Sequence, residues 1–230
     1  MHFSNYNRGT FLNYPIGAFI KENINNIGTK RNKSINSNKI NNINNDVEEK
    51  YSGIIPLKKS ALINYILSMD NLILKLNDII NSTNLYAKLI YKATRDGDLI
   101  KDFSDKCGKI RNTLIIIRTK ENLIFGGFTR ETWGKHHSDK IDDYAFCFSL
   151  KNNKIYEAIK GSYSIFFYPK KIFGFFWFID IKENSLTNGG SDHTPWAKGY
   201  YEGITSKFEL NEGKENFKIS EIECYQICGD

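Results

Sequence analysis

From residue 113 onward the chain is a succession of short runs rich in β-branched and aromatic residues, at 113–118, 123–128, 144–150, 162–168, 172–181 and 217–224. Such runs read as strands, because side chains branched at Cβ or built on a ring pack well on a pleated surface. Their separators are turn formers: Lys120-Glu121-Asn122, Lys151-Asn152-Asn153 and Asn188-Gly189-Gly190-Ser191. Few segments of helix length interleave with them, which argues against a doubly wound parallel sheet. An antiparallel sheet or sandwich with helices toward the N-terminal side fits better. The aromatic share of 14 %, with 16 Phe and 13 Tyr, points the same way. A chain of 230 residues buries a real core and suggests one domain of moderate size with an appendage.

Before residue 81 the patterning is different. Leu62, Tyr65, Met69, Leu72, Leu76 and Ile79 recur at alternating spacings of three and four, which predicts an amphipathic helix over residues 57–80. Ile66, Ile73 and Ile80 widen the apolar stripe beyond a coiled-coil seam, so the helix is expected to pack on its own domain. A partner-binding or dimerising helix is the alternative, since Leu67 and Leu74 extend the apolar surface. Asn81-Ser82-Thr83-Asn84 supplies the turn that ends it. Residues 23–45 are dominated by Asn, Lys, Ile and Ser without periodicity, and are expected to be disordered. Residues 21–45 hold five basic side chains against one acidic, so most of the net charge of +6 lies there. As a nucleic-acid arm this stretch lacks aromatic residues for stacking, which argues against that partner. The expected division is a low-complexity tail at 1–51 and a folded domain at 52–230. Residues 11–20 are mildly apolar and receive no assignment.

Cys107, Cys147, Cys224 and Cys228 are scattered without a CxxC pair, which suggests reduced thiols and no zinc site. No secretory leader and no run of about 18 apolar residues stands out, and position 2 is His rather than the Gly of an N-myristoylation signal. A cytoplasmic location is expected. Carboxylates pair at Asp96/Asp98, Asp142/Asp143 and Glu221/Glu223. Asp96 and Asp98 lack the following Gly and Glu of an EF-hand loop, so capping is favoured over calcium. Glu221 and Glu223, two apart on a strand, point to one face, where solvent or a basic partner surface is the usual neighbour. His136-His137 reads as a solvated loop. Ser191-Asp192-His193 are sequence neighbours, whereas triad members meet through the fold. No nucleophile elbow, Walker loop or dinucleotide fingerprint occurs. No metal, cofactor or catalytic constellation is expected.

The run LIYKATRDGDLIKDFSDKCGKIRNTLIIIRTKENLIFGGFTRETW, from Leu89, carries an ordered set of motifs: Ile90-Tyr91, Ala93-Thr94, Asp96-Gly97, Phe103, Cys107, Thr113-Leu114, Phe125-Gly126-Gly127-Phe128-Thr129 and Trp133. Further on come Ala145-Phe146-Cys147-Phe148-Ser149-Leu150 and the closing stretch from Phe217 to Gln226. In this order the motifs resemble the TLDc domain of the oxidation-resistance proteins. That resemblance implies an α+β fold in which two antiparallel sheets pack as a sandwich with flanking helices. It also implies protection against oxidative damage and, in several members, binding to the V-type proton ATPase, with no established catalytic mechanism. Partner contact is then expected through Asp96, Gly97, Asp98, Gly126, Gly127, Phe128 and Trp133, although Phe125, Phe128 and Trp133 read more readily as core or rim aromatics than as a ligand cage. The family's link to oxidative stress makes Cys107 a redox candidate, with Lys106 and Lys109 favouring thiolate and a thiol-dependent antioxidant enzyme as the alternative function. A core-facing Cys is the plainer reading. The chain departs from the pattern at residues 168–177 and at Ser104, where the family has a His.

Read physically, Asp96-Gly97-Asp98 is a turn in which Asp98 is expected to cap a short helix whose apolar face is Leu99, Ile100, Phe103 and Cys107. Gly126-Gly127 inside an aromatic strand predicts a bulge or a close backbone approach.

Overall fold

The structure, a computed structural model, describes residues 13–15, 62–66, 68–134, 138–192 and 194–230. The tail expected at 23–45, residues 57–61 of the expected helix, and His136, His137 and His193 lie outside the described residues. Two antiparallel sheets form the body. The first has strand order β1 (Asn13–Pro15), β2 (Leu85–Lys92), β13 (Ile219–Gly229), β3 (Thr113–Thr119), β4 (Ile124–Thr129), β6 (Phe146–Ser149) and β7 (Lys154–Glu157). The second runs β12 (Asn216–Phe217), β11 (Gly190–Asp192), β10 (Ile179–Lys182), β9 (Lys171–Phe175), β8 (Tyr163–Phe167) and β5 (Ser138–Ile141). The sandwich with flanking helices is the architecture expected.

Residues of the first sheet alternate between two apolar layers. Leu114 and Ile116 of β3 face one cluster, Ile115 and Ile117 the other, so the strand is buried along nearly its whole length. One layer lies between the sheets, where Ile115, Ile117, Phe125 and Cys224 meet Ile165, Phe173, Phe175 and Ile179. The other lies under the helices Ile63–Ile66 and Asp70–Ile80, whose Leu62, Ile66, Leu72, Ile73 and Leu76 cover Leu114, Ile116, Phe128, Phe146 and Tyr225. Most of the helical stripe therefore packs on its own domain, while Leu74, 65 % exposed, and Tyr65, 42 % exposed, turn outward.

Two expectations are corrected, and a third is narrowed to one of its two alternatives. The helix is not continuous: it breaks around Met69, which has φ −95° and ψ 87°, and restarts at Asp70. Asn81, at φ 57°, then ends it in the left-handed conformation that Asn tolerates. The run at 172–181 is two strands, with Gly174 opposite Asp180 and a turn at Phe176-Trp177 between them. At Gly126 and Gly127 the pairing with β3 and β6 continues without a bulge. Close approach explains both: a Cβ on Gly126 would strike the Ile115 carbonyl, and one on Gly127 would stand 2.5 Å from the Phe175 ring.

Candidate functional site

Where β2 leaves the first sheet, its last residue and the one-turn helix Ala93–Asp96 lie against β13. The two-residue spacing puts Glu221 and Glu223 on one side of β13, as expected. Solvent is not their neighbour: both are buried. Lys92 Nζ sits 2.7 Å from Glu223 and 3.2 Å from Glu221. Thr94 donates its hydroxyl to Glu221 at 2.5 Å and its N–H at 3.2 Å. Leu62 N–H and the Tyr225 hydroxyl donate to Glu223. Burial draws the Lys92 ammonium down, but the hydrogen bond and charge of Glu223, joined by Glu221, outweigh it and hold the pKa above its usual value. This network ties the first helix, β2 and β13 together. It is the feature that sequence reasoning missed, because only the shared face of the two glutamates was readable.

Outside it lies the turn singled out from sequence. Asp96 accepts the Lys92 N–H at 2.9 Å and both ends of the Arg95 guanidinium, at 2.9 and 2.6 Å, with Lys106 at 3.7 Å. Partial burial raises the Asp96 carboxyl, while the Arg95 and Lys92 donors more than offset it and leave it lowered. Gly97, at φ 98°, has no room for a Cβ beside the Asp102 carboxylate. Asp98 does not cap the following helix. Asp102 does, accepting the Leu99 N–H at 3.1 Å, whereas the Asp98 carboxylate takes the Leu186 N–H at 2.8 Å. That helix, Ile100–Cys107, buries Phe103 and Cys107 and leaves Lys101, Asp105 and Lys106 outside.

The other expected contact residues are in the core. Trp133 is 1 % exposed, donates its indole N–H to Thr113 at 3.0 Å, and meets the rings of Phe103, Phe173 and Phe175. Phe128 stacks on Phe146 beneath the helices, and Gly126 and Gly127 are buried in β4. A partner meeting the folded chain cannot touch them, so of the expected set only Asp96, Gly97 and Asp98 remain near the surface. Cys107 is likewise fully buried. Burial pushes its thiol up, and the Cys224 thiol beside it adds to the effect, so the expectation of a lysine-favoured thiolate fails. Lys106 instead leans on Asp96.

The remaining candidate acids also serve the fold. Asp142 accepts Thr129 Oγ1 at 2.7 Å and the N–H groups of Arg130 and Tyr144, and Asp143 accepts the Gly161 N–H. Ser191 donates to Asn216, while Asp192 accepts from Leu210 and Asn211. Among the described residues no group of three or more His, Cys, Asp or Glu is placed to hold a metal ion. None of the described helices is long and apolar enough to cross a membrane.

With the two-sheet sandwich and its β2–β13 corner in view, comparison with known families matches residues 57–228 to the TLDc domain. The chain belongs to the TLDc family. No curated protein matches it. Of the motif residues, Tyr91, Phe103, Phe125, Phe128 and Trp133 are buried, and so are the closing glutamates, whereas Thr94 is exposed and Asp96 and Gly97 lie near the surface. The aromatic motif residues of this TLDc domain therefore build the sandwich.

Proposed function

We propose that the chain is a non-enzymatic docking module for a protein partner met in the cytosol, contributing to oxidative-stress protection, with the V-type proton ATPase as the candidate partner. One observation carries the reading. At the β2–β13 corner the groups suited to acid–base or thiol chemistry, Glu221, Glu223 and Cys107, are buried and bonded within the chain, while Arg95, Leu99, Lys101, Asp105 and Lys106 stand outside. Such a surface offers charge and one exposed apolar side chain to a partner, and it offers no reacting atom. TLDc membership supports the same reading.

A pull-down from native cytosol with the full chain tests it, using Arg95→Glu and Lys101→Glu as surface variants, Asp96→Ala as a turn variant and Trp133→Ala as a folding control. Capture of proton-pump subunits by the wild type, weakened in the two surface variants, is expected. If pump subunits never appear, the pump assignment fails. If Arg95→Glu and Lys101→Glu capture them as the wild type does, the assigned surface is wrong. Peroxide consumption with turnover that disappears in Cys107→Ser would overturn the non-enzymatic reading.

A further inference from the structure

We draw no further inference here: the strongest candidate, the surface patch of Tyr163, Phe176, Trp177 and Tyr200 at the end of the second sheet where β9 turns into β10, carries nothing, because Asp143, Glu157 and Glu202 offset Lys160 and Lys198 around it and nothing in the structure shows what covers it.

Discussion

The two sheets of the sandwich differ in what lies against the side chains that point away from the shared core. The first is enclosed by helices on one side and by the second sheet on the other, so both alternating sets of its side chains are buried, and the charges left inside, Lys92 with Glu221 and Glu223, are bonded to one another. The second packs its inner face on the first and also buries Ser164, Phe166 and Asp180 on its other face. Outside, Phe166 and Tyr168 stack in a row, Lys171 lies over the Phe166 ring, and the row continues through Phe176 to Trp177. In the first sheet, packing dictates residue identity. On the outer face of the second the burial comes from rings lying against one another and over Gly174, a row that ends at Trp177 with φ 53°.

The comparison predicts that damage is graded by enclosure. Trp133→Ala should have the largest effect, about 3–5 kcal/mol, because it empties a site between the sheets bounded by Phe103, Phe173 and Phe175 and leaves the Thr113 hydroxyl without its donor. Urea unfolding followed by circular dichroism measures it. A loss under about 1 kcal/mol would mean that this core is not closed. Next comes Glu223→Gln at about 3 kcal/mol, because Lys92, the Leu62 N–H and the Tyr225 hydroxyl would share one neutral amide in a buried place. Hydrogen exchange should show β2 and the first helix loosening together in this variant. If only β13 responds, the network does not tie the three elements.

Much of this enclosure was legible beforehand and some was not. Runs such as Thr113 to Arg118 announced themselves because both faces are apolar. The strands Ser138–Ile141, Lys154–Glu157 and Gly190–Asp192 did not, since polar side chains leave only backbone pairing to define them. The stretch at 172–181 read as one strand because its turn is made by aromatic residues instead of Gly, Asn or Pro. Lys92 and Glu223 are 131 residues apart, a pairing that no local pattern encodes. For the aromatic motif residues the constraint is burial, whereas Thr94, Asp96 and Gly97 of the same pattern lie at or near the surface. Among the aromatics recognition and exposure pulled in opposite directions, so Phe128 and Trp133 marked the domain and lie out of a partner's reach.

At the rim a charge should matter in a pH-dependent way. Glu209 accepts from Lys154 and from the N–H groups of Thr205 and Ser206. Burial raises its carboxyl, but these donors outweigh it and bring the pKa from 4.5 down to about 2. The folded state therefore releases the proton more readily than the unfolded state, and stability linked to Glu209 is complete above about pH 4.5 and lost as pH falls toward about 2. Glu209→Gln should cost about 2 kcal/mol at neutral pH, with the gap to wild type closing across that window. A gap that stays constant with pH would remove the charge from the explanation.

The smallest effect expected is at Trp177, and its sign is what sharpens the contrast between the sheets. Replacing a half-exposed indole with Gly normally destabilises, through lost ring contacts and through the greater freedom of a Gly-containing unfolded chain, each about 1 kcal/mol or less. Here Gly also relieves a left-handed backbone at φ 53°, a strain worth about 1–2 kcal/mol. The terms nearly cancel, so thermal unfolding of Trp177→Gly should fall within about 1 kcal/mol of wild type, on either side of it. Trp177→Ala separates the terms, because it removes the same ring while keeping the strain, and it should be the less stable of the two. If alanine proves as stable as glycine, the turn carries no strain at this position, and the argument that Trp177 is held outward against its own backbone preference falls with it.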